Sequence, residues 1–318
     1  MTDRNLDFDR AFEMVRKECA GIIERAPGLI RGYTSYLTAA QGKMMRAAAT
    51  LACSMDEDGM IPMDAVIFAS AVETMHLATL IHDDIMDDAD VRRGLVTLQK
   101  KAGKRTAVIC GDYLLAAAMR QLSRAKENDR YKSFDFSRYV ERVALGELRQ
   151  NINNKNFRLD VFRYLAIIDG KTAALFEGAY HAGALAGDES SERIALLRKL
   201  GRYTGIIFQL TDDCIDYEVS EDTAGKPVQA DFENGVITMP LIHAISKDPF
   251  LAQDAENGSL TKEKVLREVE RHGGVSFTHK MAGDYYDRCL AIMDKLALGG
   301  RKKEILSGLL ERAYRGLK

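Results

Sequence analysis

The chain reads HLATLIHDDIMDDADVRRG over residues 76–94, and this stretch decides the fold class and the chemistry. Its first half is an apolar helical run that ends in a group of aspartates. On a helix, residues four apart lie on one face, so Asp83 stands over Asp87. Carboxylates placed in this way at a helix C-terminus are unfavourable unless a cation lies between them. The stretch therefore predicts a cation site, against the alternative of a solvated acidic helix end.

The same spacing occurs again in FQLTDDCIDYE, residues 208–218, at the end of a second apolar run. Asp212, Asp213 and Asp216 repeat the positions of the first group. Oxygen ligands select hard cations such as Mg²⁺, which usually takes one or two carboxylates together with substrate phosphates. Several basic residues accompany the two clusters, namely Lys43, Arg46, Arg92, Arg93, Lys171 and Lys226. Together these residues predict two pyrophosphate groups held by Mg²⁺ and cations in one cavity.

Helical periodicity extends over nearly all of the 318 residues. No proline occurs between Met63 and Lys226, and alternating strand patterns are lacking. A first helix is predicted from a stripe that ends at Pro27 and comprises Leu6, Phe12, Val15, Cys19, Ile22 and Ile23. Further helices are predicted near residues 43–54, 62–87, 105–125, 136–154, 159–169, 171–186, 191–218, 236–247, 261–272, 276–297 and 301–315. The one long polar loop spans residues 219–235. The pattern predicts an all-α protein in which residues 1–318 form a single domain.

Composition excludes several classes of protein. Lys and Arg number 45 against 47 Asp and Glu, a net charge of −2 that argues against nucleic-acid binding. The five scattered cysteines predict free thiols in a reducing compartment. The charged N-terminus is unlike a signal peptide, and apolar runs stay short of the eighteen residues of a membrane span. We therefore expect a soluble cytoplasmic protein without a membrane span.

Seven motifs in this chain resemble those of the trans-polyprenyl diphosphate synthases. The two aspartate motifs are joined, in the order of the family, by QGKMMRA (41–47), CGDYLLAAA (110–118), GELRQ (146–150), KTAALF (171–176) and GKPVQADFENGVITMPL (225–241). The resemblance implies a large helical bundle of the isoprenoid-synthase type with a central cavity, and a homodimer. It implies a prenyltransferase that condenses isopentenyl diphosphate head-to-tail with an allylic diphosphate, using three Mg²⁺ per active site. The allylic carbon–oxygen bond would ionise, and the resulting cation would be attacked by the double bond of isopentenyl diphosphate.

The resemblance also implies a role for each matching residue. The metal ligands are Asp83, Asp84, Asp87, Asp212, Asp213 and Asp216, of which Asp83, Asp84, Asp87 and Asp212 are also catalytic. The allylic diphosphate is bound by Arg92, Lys171, Thr172, Gln209 and Lys226, of which Lys171 is also catalytic. Isopentenyl diphosphate is bound by Lys43, Arg46, His76 and Arg93. For His76, a hydrogen-bonded histidine inside a helix remains an equal alternative.

Departures from the family pattern leave one rival open. Gln41, Met44 and Ala47 replace a Gly, an Arg and the Pro of the usual GGKRxRP motif, and Val236 replaces a Lys. These changes suit a non-catalytic or partner-dependent subunit of a heteromeric prenyltransferase, whereas the intact aspartate motifs favour activity. A class I terpene cyclase is a weaker rival, because it would not need Lys43.

Product length is partly readable from the helix that precedes the first aspartates. Ala78 and Thr79 lie five and four residues before Asp83, about 6–8 Å below the predicted metal site. In the family, small side chains there leave room for a product longer than farnesyl, although Ala78 could equally be ordinary core. Met75, about 12 Å below the site, is a candidate floor.

Overall fold

The computed structural model describes residues 4–40, 42–125, 129, 131, 134–218 and 230–316. The chain divides into two compact units. Unit 1 comprises Met1–Asp135, Gly178–Arg198 and Leu298–Leu306. Unit 2 comprises Phe136–Glu177, Lys199–Ala297 and Ser307–Lys318. The expectation that residues 1–318 act as one synthase domain stays a prediction.

Helices account for most of the described residues, which confirms the all-α class. In the first part of the chain they are α1 (Phe8–Glu24), α2 (Gly28–Thr34), a 3₁₀ turn (Ser35–Ala40), α3 (Met45–Ser54), α4 (Met63–Met86), α5 (Leu98–Ala102) and α6 (Lys104–Leu122). The remaining helices are α7 (Ser137–Ile152), α8 (Val161–Ile168), a π-helical turn (Asp169–Ala173), α9 (Ala174–Ala186), α10 (Ser191–Glu218), α11 (Ala230–Glu233), α12 (Met239–Lys247), α13 (Phe250–Glu256), α14 (Lys262–Arg271), α15 (Gly274–Lys295) and α16 (Gly300–Arg315).

Two short antiparallel ladders interrupt the helices of unit 1. β1 (Arg4–Leu6) pairs with β2 (Ile61–Pro62), and β3 (Val91–Arg92) pairs with β4 (Leu95–Val96). Strands of two or three residues are too short to produce an alternating pattern, so the sequence did not predict them. The β3–β4 hairpin matters for function because it follows the first aspartate motif directly.

Helix α4 forms the centre of unit 1. Pro62 precedes its first turn, and buried side chains surround the helix from Ala65 to Val72. A helix that is apolar on all sides must be covered by other elements, and here α1, α3 and α6 pack against it. By length and composition α4 could cross a membrane, yet its most apolar stretch is mostly buried inside the protein. In this structure α4 is a core helix.

Helix α4 ends in a Schellman motif. The N–H of Ala89 donates to the carbonyl of Asp84 at 2.9 Å, and the N–H of Asp88 faces the carbonyl of Ile85 at 3.4 Å. Asp88 has φ of 50°, the left-handed conformation that glycine usually supplies at this position. The chain therefore turns sharply after Asp87 and enters the hairpin.

Most of α10, from Lys199 onward, belongs to unit 2, and the helix ends in the second aspartate motif. The predicted bounds of this helix, residues 191–218, are those observed. The segments 159–169 and 171–186, predicted as two helices, are joined by the π-helical turn into a nearly continuous helix. Within the predicted polar loop, residues 219–229 lie outside the described structure and α11 forms one helical turn.

Candidate active site

The first aspartate cluster lies on the last turn of α4. Asp84 is buried, Asp83 is half-buried and Asp87, the C-cap, is exposed. Desolvation raises the pKa of Asp84, the guanidinium of Arg92 opposes this, and the charge of Asp87 adds to the rise. Carboxylates concentrated at the negative end of a helix, one of them desolvated, form a site that favours a cation.

Arg92 pairs with the Asp84 carboxylate, to which its Nε donates a short hydrogen bond. The hairpin places Arg92 at the end of β3, before a two-residue turn formed by Arg93 and Gly94. Both turn residues have positive φ, 51° and 76°, as a type I′ turn requires. The RRG sequence therefore forms the turn of the hairpin. Arg92 contacts Asp84 of the aspartate cluster, whereas the guanidinium of Arg93 lies against Gly42.

Arg93 belongs to a second group in unit 1, which includes Arg46, His76 and Glu73. The guanidinium of Arg93 packs directly on Gly42, where a Cβ atom would lie 2.4 Å from Nη1. Desolvation lowers the pKa of Arg46 to about 10, so this group stays charged at neutral pH. Desolvation, with the charges of Arg46, Arg93 and Arg92, lowers the pKa of His76 well below its usual value, which keeps the ring neutral. Three of the four residues predicted to bind isopentenyl diphosphate are thus brought together.

Glu73 is a member of this group that the sequence analysis did not identify. Its Oε1 accepts a hydrogen bond of 2.9 Å from the N–H of Ala47 in the first turn of α3. It therefore caps the N-terminus of α3, and its charge faces Arg46 and Arg93. In the sequence, Glu73 stands out only as a single acid that ends the apolar run of α4, three residues before His76.

The GKMMRA motif adopts a distinctive backbone. Met44 is the N-cap of α3 in the left-handed conformation, with φ of 47° and ψ of 44°. Lys43 is exposed beside it, and Gln41 lies outside the described residues. Ala47 is fully buried and donates its N–H to Glu73, which the usual proline could not do. With alanine in place of the usual proline, position 47 has a backbone N–H. The Glu73 carboxylate accepts the hydrogen bond that this N–H donates.

Two clefts open beside these residues in unit 1. One, of about 550 Å³, is lined at its polar end by Glu73, His76 and Arg93 and elsewhere by apolar residues of α1 and α4. The other, of about 420 Å³, is lined by Asp84, Arg92, Arg93 and apolar side chains of α4 and the hairpin. A charged end joined to an apolar wall suits an amphiphilic ligand with an anionic head.

The residues proposed for chain length lie on α4 in different environments. Ala78 is 1% exposed and packs in a core cluster with Cys110 and Leu114 of α6. Thr79 is half-buried, and its hydroxyl donates to the carbonyl of His76 at 2.8 Å. Met75 is buried. Ala78 therefore has the surroundings of a core residue, whereas Thr79 has room on one side.

The second aspartate cluster, in unit 2, is organised by hydrogen bonds. Asp213 is buried and accepts a short hydrogen bond from the Tyr164 hydroxyl and one of 2.8 Å from Gln209 Nε2. Gln209 in turn accepts a bond of 2.6 Å from the Thr172 hydroxyl. Asp212 is exposed and Asp216 is buried. Thr172 and Gln209, both predicted diphosphate ligands, are thus connected to the cluster, and Tyr164 is an addition that no local pattern indicated.

Asp231 on α11 adds a fourth carboxylate to this cluster. Desolvation, then the charges of Asp216, Asp213 and Asp212, raise the pKa of Asp231 well above its usual value, while Lys171 opposes this. Burial likewise raises the pKa of Asp213 to about 7. Such repulsion among carboxylates is what a divalent cation relieves, and an all-oxygen donor set suits Mg²⁺. The residues present therefore fit a magnesium site.

Lys171 lies in the π-helical turn, where its ammonium pairs with Glu147 of α7 at 3.1 Å. Helix α7 approaches this turn very closely, since a Cβ on Gly146 would lie 2.1 Å from the backbone nitrogen of Lys171. A glycine at 146 is thus required for the contact. Turns of π-helix occur often at functional sites, and this one sets the direction of a predicted diphosphate ligand.

The remaining predicted residues are placed only in part. Lys226 lies outside the described residues. Val236 is half-buried beyond α11, where its N–H donates to the Asp231 carbonyl at 2.8 Å. Thr238 is buried next to the Tyr217 hydroxyl at 3.3 Å. Although Val236 replaces the usual Lys, its backbone N–H remains hydrogen-bonded to Asp231.

Comparisons with known proteins give the family of the chain. The family model described as polyprenyl synthetase matches residues 27–271. The chain is 31% identical over 234 residues to heptaprenyl diphosphate synthase component 2 of Geobacillus stearothermophilus, which covers 72% of each chain.

Solved structures extend the likeness to nearly the whole chain. The structure of heptaprenyl diphosphate synthase from Staphylococcus aureus matches with a TM-score of 0.88 and 27% identity, covering 98% of this chain and 99% of that one. Polyprenyl synthase from Caulobacter crescentus, complexed with calcium and isoprenyl diphosphate, matches with a TM-score of 0.84 and 28% identity, covering 97% and 95%. With its two aspartate clusters and its helical fold, the chain belongs to the polyprenyl synthetase family and is a prenyltransferase.

Proposed function

We propose that this chain condenses isopentenyl diphosphate with an allylic diphosphate to give a trans-polyprenyl diphosphate longer than farnesyl. The observation that carries the proposal is the first aspartate cluster: a desolvated Asp84 pairs with Arg92 at the C-terminus of an apolar helix. Carboxylates for a metal and a cation for a phosphate thus lie side by side. That combination suits a diphosphate bound through both.

In unit 1, divalent cations would be held by Asp83, Asp84 and Asp87. In unit 2, they would be held by Asp212, Asp213 and Asp216, and the charge of Asp231 acts on these three carboxylates. The calcium in the Caulobacter crescentus synthase supports a divalent cation here, and we propose Mg²⁺, three per active site. When bound, Mg²⁺ neutralises negative charge that develops on the leaving diphosphate.

Each of two groups of mainly basic residues binds one of the two substrates. Arg92, Lys171 and Lys226, with Thr172 and Gln209, bind the allylic diphosphate. Lys43, Arg46, His76 and Arg93 bind isopentenyl diphosphate. The neutral ring of His76 contributes a hydrogen bond rather than a charge, because the surrounding guanidinium groups keep its pKa low. Among the described residues, Arg46, Arg92 and Arg93 supply positive charge to the two diphosphates.

The reaction needs no protein nucleophile. The allylic carbon–oxygen bond breaks, and the electron pair leaves with pyrophosphate. The double bond of isopentenyl diphosphate forms the new carbon–carbon bond, and one proton is lost to the released pyrophosphate. Apolar side chains of α4, such as Leu77 and Leu80, line both clefts and help to keep water from the allylic carbocation.

The product is proposed to be of medium to long chain, built from farnesyl or geranylgeranyl diphosphate. The heptaprenyl names of the relatives support this length. Of the positions on α4, Thr79 is the better candidate for contact with the growing chain, since Ala78 is enclosed by α6. The five free cysteines support a reducing compartment, and we place the reaction in the cytoplasm.

We also propose a homodimer. Helix α6 exposes Val108 and Ile109 on one face, at 40% and 61%. Helix α7 exposes a separate apolar stripe, Leu145, Leu148 and Ile152, at helical spacing. Apolar stripes on helices are typical of surfaces that pair.

A second candidate function is a partner-dependent subunit. The similarity to a protein named component 2 favours it, as do Met44 and Val236. In that case the chain would carry the aspartate chemistry but would elongate only together with a second polypeptide.

The aspartate assignment is tested with the double variant Asp83→Ala/Asp84→Ala. We expect turnover to fall by at least about 10²–10³-fold while helix content stays unchanged, because the metal and the leaving group lose their carboxylates. Asp88→Gly is the matched control: it removes an exposed acid five residues from Asp83 and keeps the left-handed turn, so activity should remain. A fully active double variant would overturn the assignment.

A further inference from the structure

A third cluster of ligating groups lies in unit 2, among residues that the catalytic proposal does not use. Asp248 caps the C-terminus of α12, while Glu268 and His272 lie one turn apart on α14 and its C-cap. One carboxylate oxygen of each acid and a ring nitrogen of His272 all lie within 4.8 Å of one another. Two carboxylates and an imidazole form a donor set for a metal ion.

The cluster contains two buried polar atoms without a hydrogen-bond partner among the described residues. They are Oε2 of Glu268 and Nε2 of His272. The side chain of Glu268 is only 9% exposed, so its oxygen has little contact with water. The two atoms are 3.6 Å apart, too far for a good hydrogen bond. Leaving a buried charged group unsatisfied is costly, which indicates that something further binds between them.

The nearby cations do not fill this position. Arg267 donates to the other carboxylate oxygen, Oε1, at 3.3 Å. Arg271 Nη1 is 3.5 Å from Oε2, beyond an ideal hydrogen bond, and its side chain is 71% exposed. Both arginine side chains are mostly exposed, at 67% and 71%. Neither gives a hydrogen bond to Oε2 of Glu268.

We propose that Asp248, Glu268 and His272 bind one divalent cation of the zinc class. Nitrogen from imidazole favours zinc, cobalt or nickel over Mg²⁺, which distinguishes this site from the all-oxygen aspartate clusters. Three protein ligands with a water in fourth position form a common zinc arrangement. With zinc–ligand bonds of about 2.0–2.1 Å, tetrahedral ligands lie about 3.3 Å apart. The ligand atoms, now within 4.8 Å of one another, would approach by up to about 1.5 Å when the ion binds.

A bound ion would join two elements that are far apart in sequence. Asp248 ends α12, and Glu268 and His272 end α14, so the ion fixes both helix ends to one point. An ion that binds the folded chain and not the unfolded one raises the melting temperature with its concentration. The proposed role is therefore structural, and it is independent of the proposed catalysis.

The test is a Co²⁺ and Zn²⁺ titration of the full chain, with excess Mg²⁺ present to occupy oxygen-only sites. We expect one equivalent of Co²⁺ with a visible absorption band, displaced by Zn²⁺, and a melting temperature that rises with Zn²⁺. His272→Gln should lose the band and weaken binding by about 100-fold, and Asp248→Asn should weaken it by about tenfold or more.

His279→Gln is the matched control. His279 forms a histidine–carboxylate pair of 2.6 Å with Glu218 and has no place in the three-ligand cluster, so its loss should leave the band unchanged. Asp248→Asn, at a half-buried helix end, keeps the proposal testable if His272→Gln unfolds. Absence of Co²⁺ binding by the wild type, or equal binding by wild type, His272→Gln and Asp248→Asn, would overturn the proposal.

Discussion

The carboxylate of Glu73 accepts a hydrogen bond of 2.9 Å from the backbone N–H of Ala47 and so caps helix α3 from helix α4. Ala47 replaces the proline of the family motif, and a proline has no N–H to donate. The bond therefore exists only because of the departure. It holds the first turn of α3, which carries Arg46, against the helix that carries His76 and the first aspartates.

Restoring the proline should weaken the protein. Ala47→Pro removes the donor and leaves a buried carboxylate with one bond fewer, so unfolding free energy should fall by about 1–3 kcal/mol in urea titrations. A proline in the first helical turn is tolerated, so the helix itself should persist. In the Glu73→Gln background, Ala47→Pro should lower the unfolding free energy by less, because the neutral amide accepts the N–H hydrogen bond more weakly. Strictly additive effects of the two substitutions would contradict the contact.

The metal-free protein should lose stability as pH rises from about 4 to 7. Asp213 has a pKa of about 7 when folded, against an ordinary value of 3.8, so folding takes up a proton in this range. Wild type and Asp213→Asn should be compared by urea unfolding in EDTA at pH 5 and pH 7.5. The variant should show the smaller loss, and excess Mg²⁺ should reduce the loss in the wild type, since the cation favours the ionised carboxylate. Equal pH dependence in both proteins would argue against a buried Asp213 titrating near neutrality.

Two neighbouring positions on α4 should respond differently to a large side chain. Thr79→Phe should shorten the polyprenol products without unfolding the chain, because Thr79 is half-buried. Ala78→Phe should lower stability by about 1–3 kcal/mol, because Ala78 is enclosed by Cys110 and Leu114. Products are resolved by chain length after dephosphorylation, with Thr79→Val as the size-matched control. An unchanged product length in Thr79→Phe would remove this residue from the path of the chain.

The exposed stripe on α7 should mediate self-association. Leu148→Glu places a charge at the centre of Leu145, Leu148 and Ile152, so the chain should shift from dimer to monomer in sedimentation experiments. Phe162, on α8 and 84% exposed, does not belong to this stripe, so Phe162→Glu should leave the dimer intact. A monomeric wild type, or a dimer that persists in Leu148→Glu, would exclude this surface.

Helices were predictable from the sequence because periodicity and caps are local signals. The extent of α10 and the start of α4 after Pro62 followed directly from them. The Arg93–Gly94 turn did not, because strands of two residues leave no pattern. The π-helical turn at Lys171 was not predicted from the sequence either, because it depends on the close contact between Gly146 and the turn.

The positions of the aspartates at the ends of α4 and α10 were predictable because the motif spacing itself carries them. Glu73, Tyr164 and Asp231 were missed for one physical reason. Each acts through a neighbour distant in sequence or through accumulated charge: Ala47, Asp213 and the repelling carboxylates respectively. Tertiary packing creates these relationships, so the sequence does not show which partner each residue meets.

The most direct test of the central claim is elongation by the purified chain alone. Labelled isopentenyl diphosphate, farnesyl diphosphate and Mg²⁺ are incubated with it, and the dephosphorylated alcohols are separated by length. We expect a ladder that ends at a defined polyprenol longer than farnesol, which disappears in Asp83→Ala/Asp84→Ala. A folded wild-type chain that elongates no allylic primer would contradict an autonomous synthase and would favour the partner-dependent subunit.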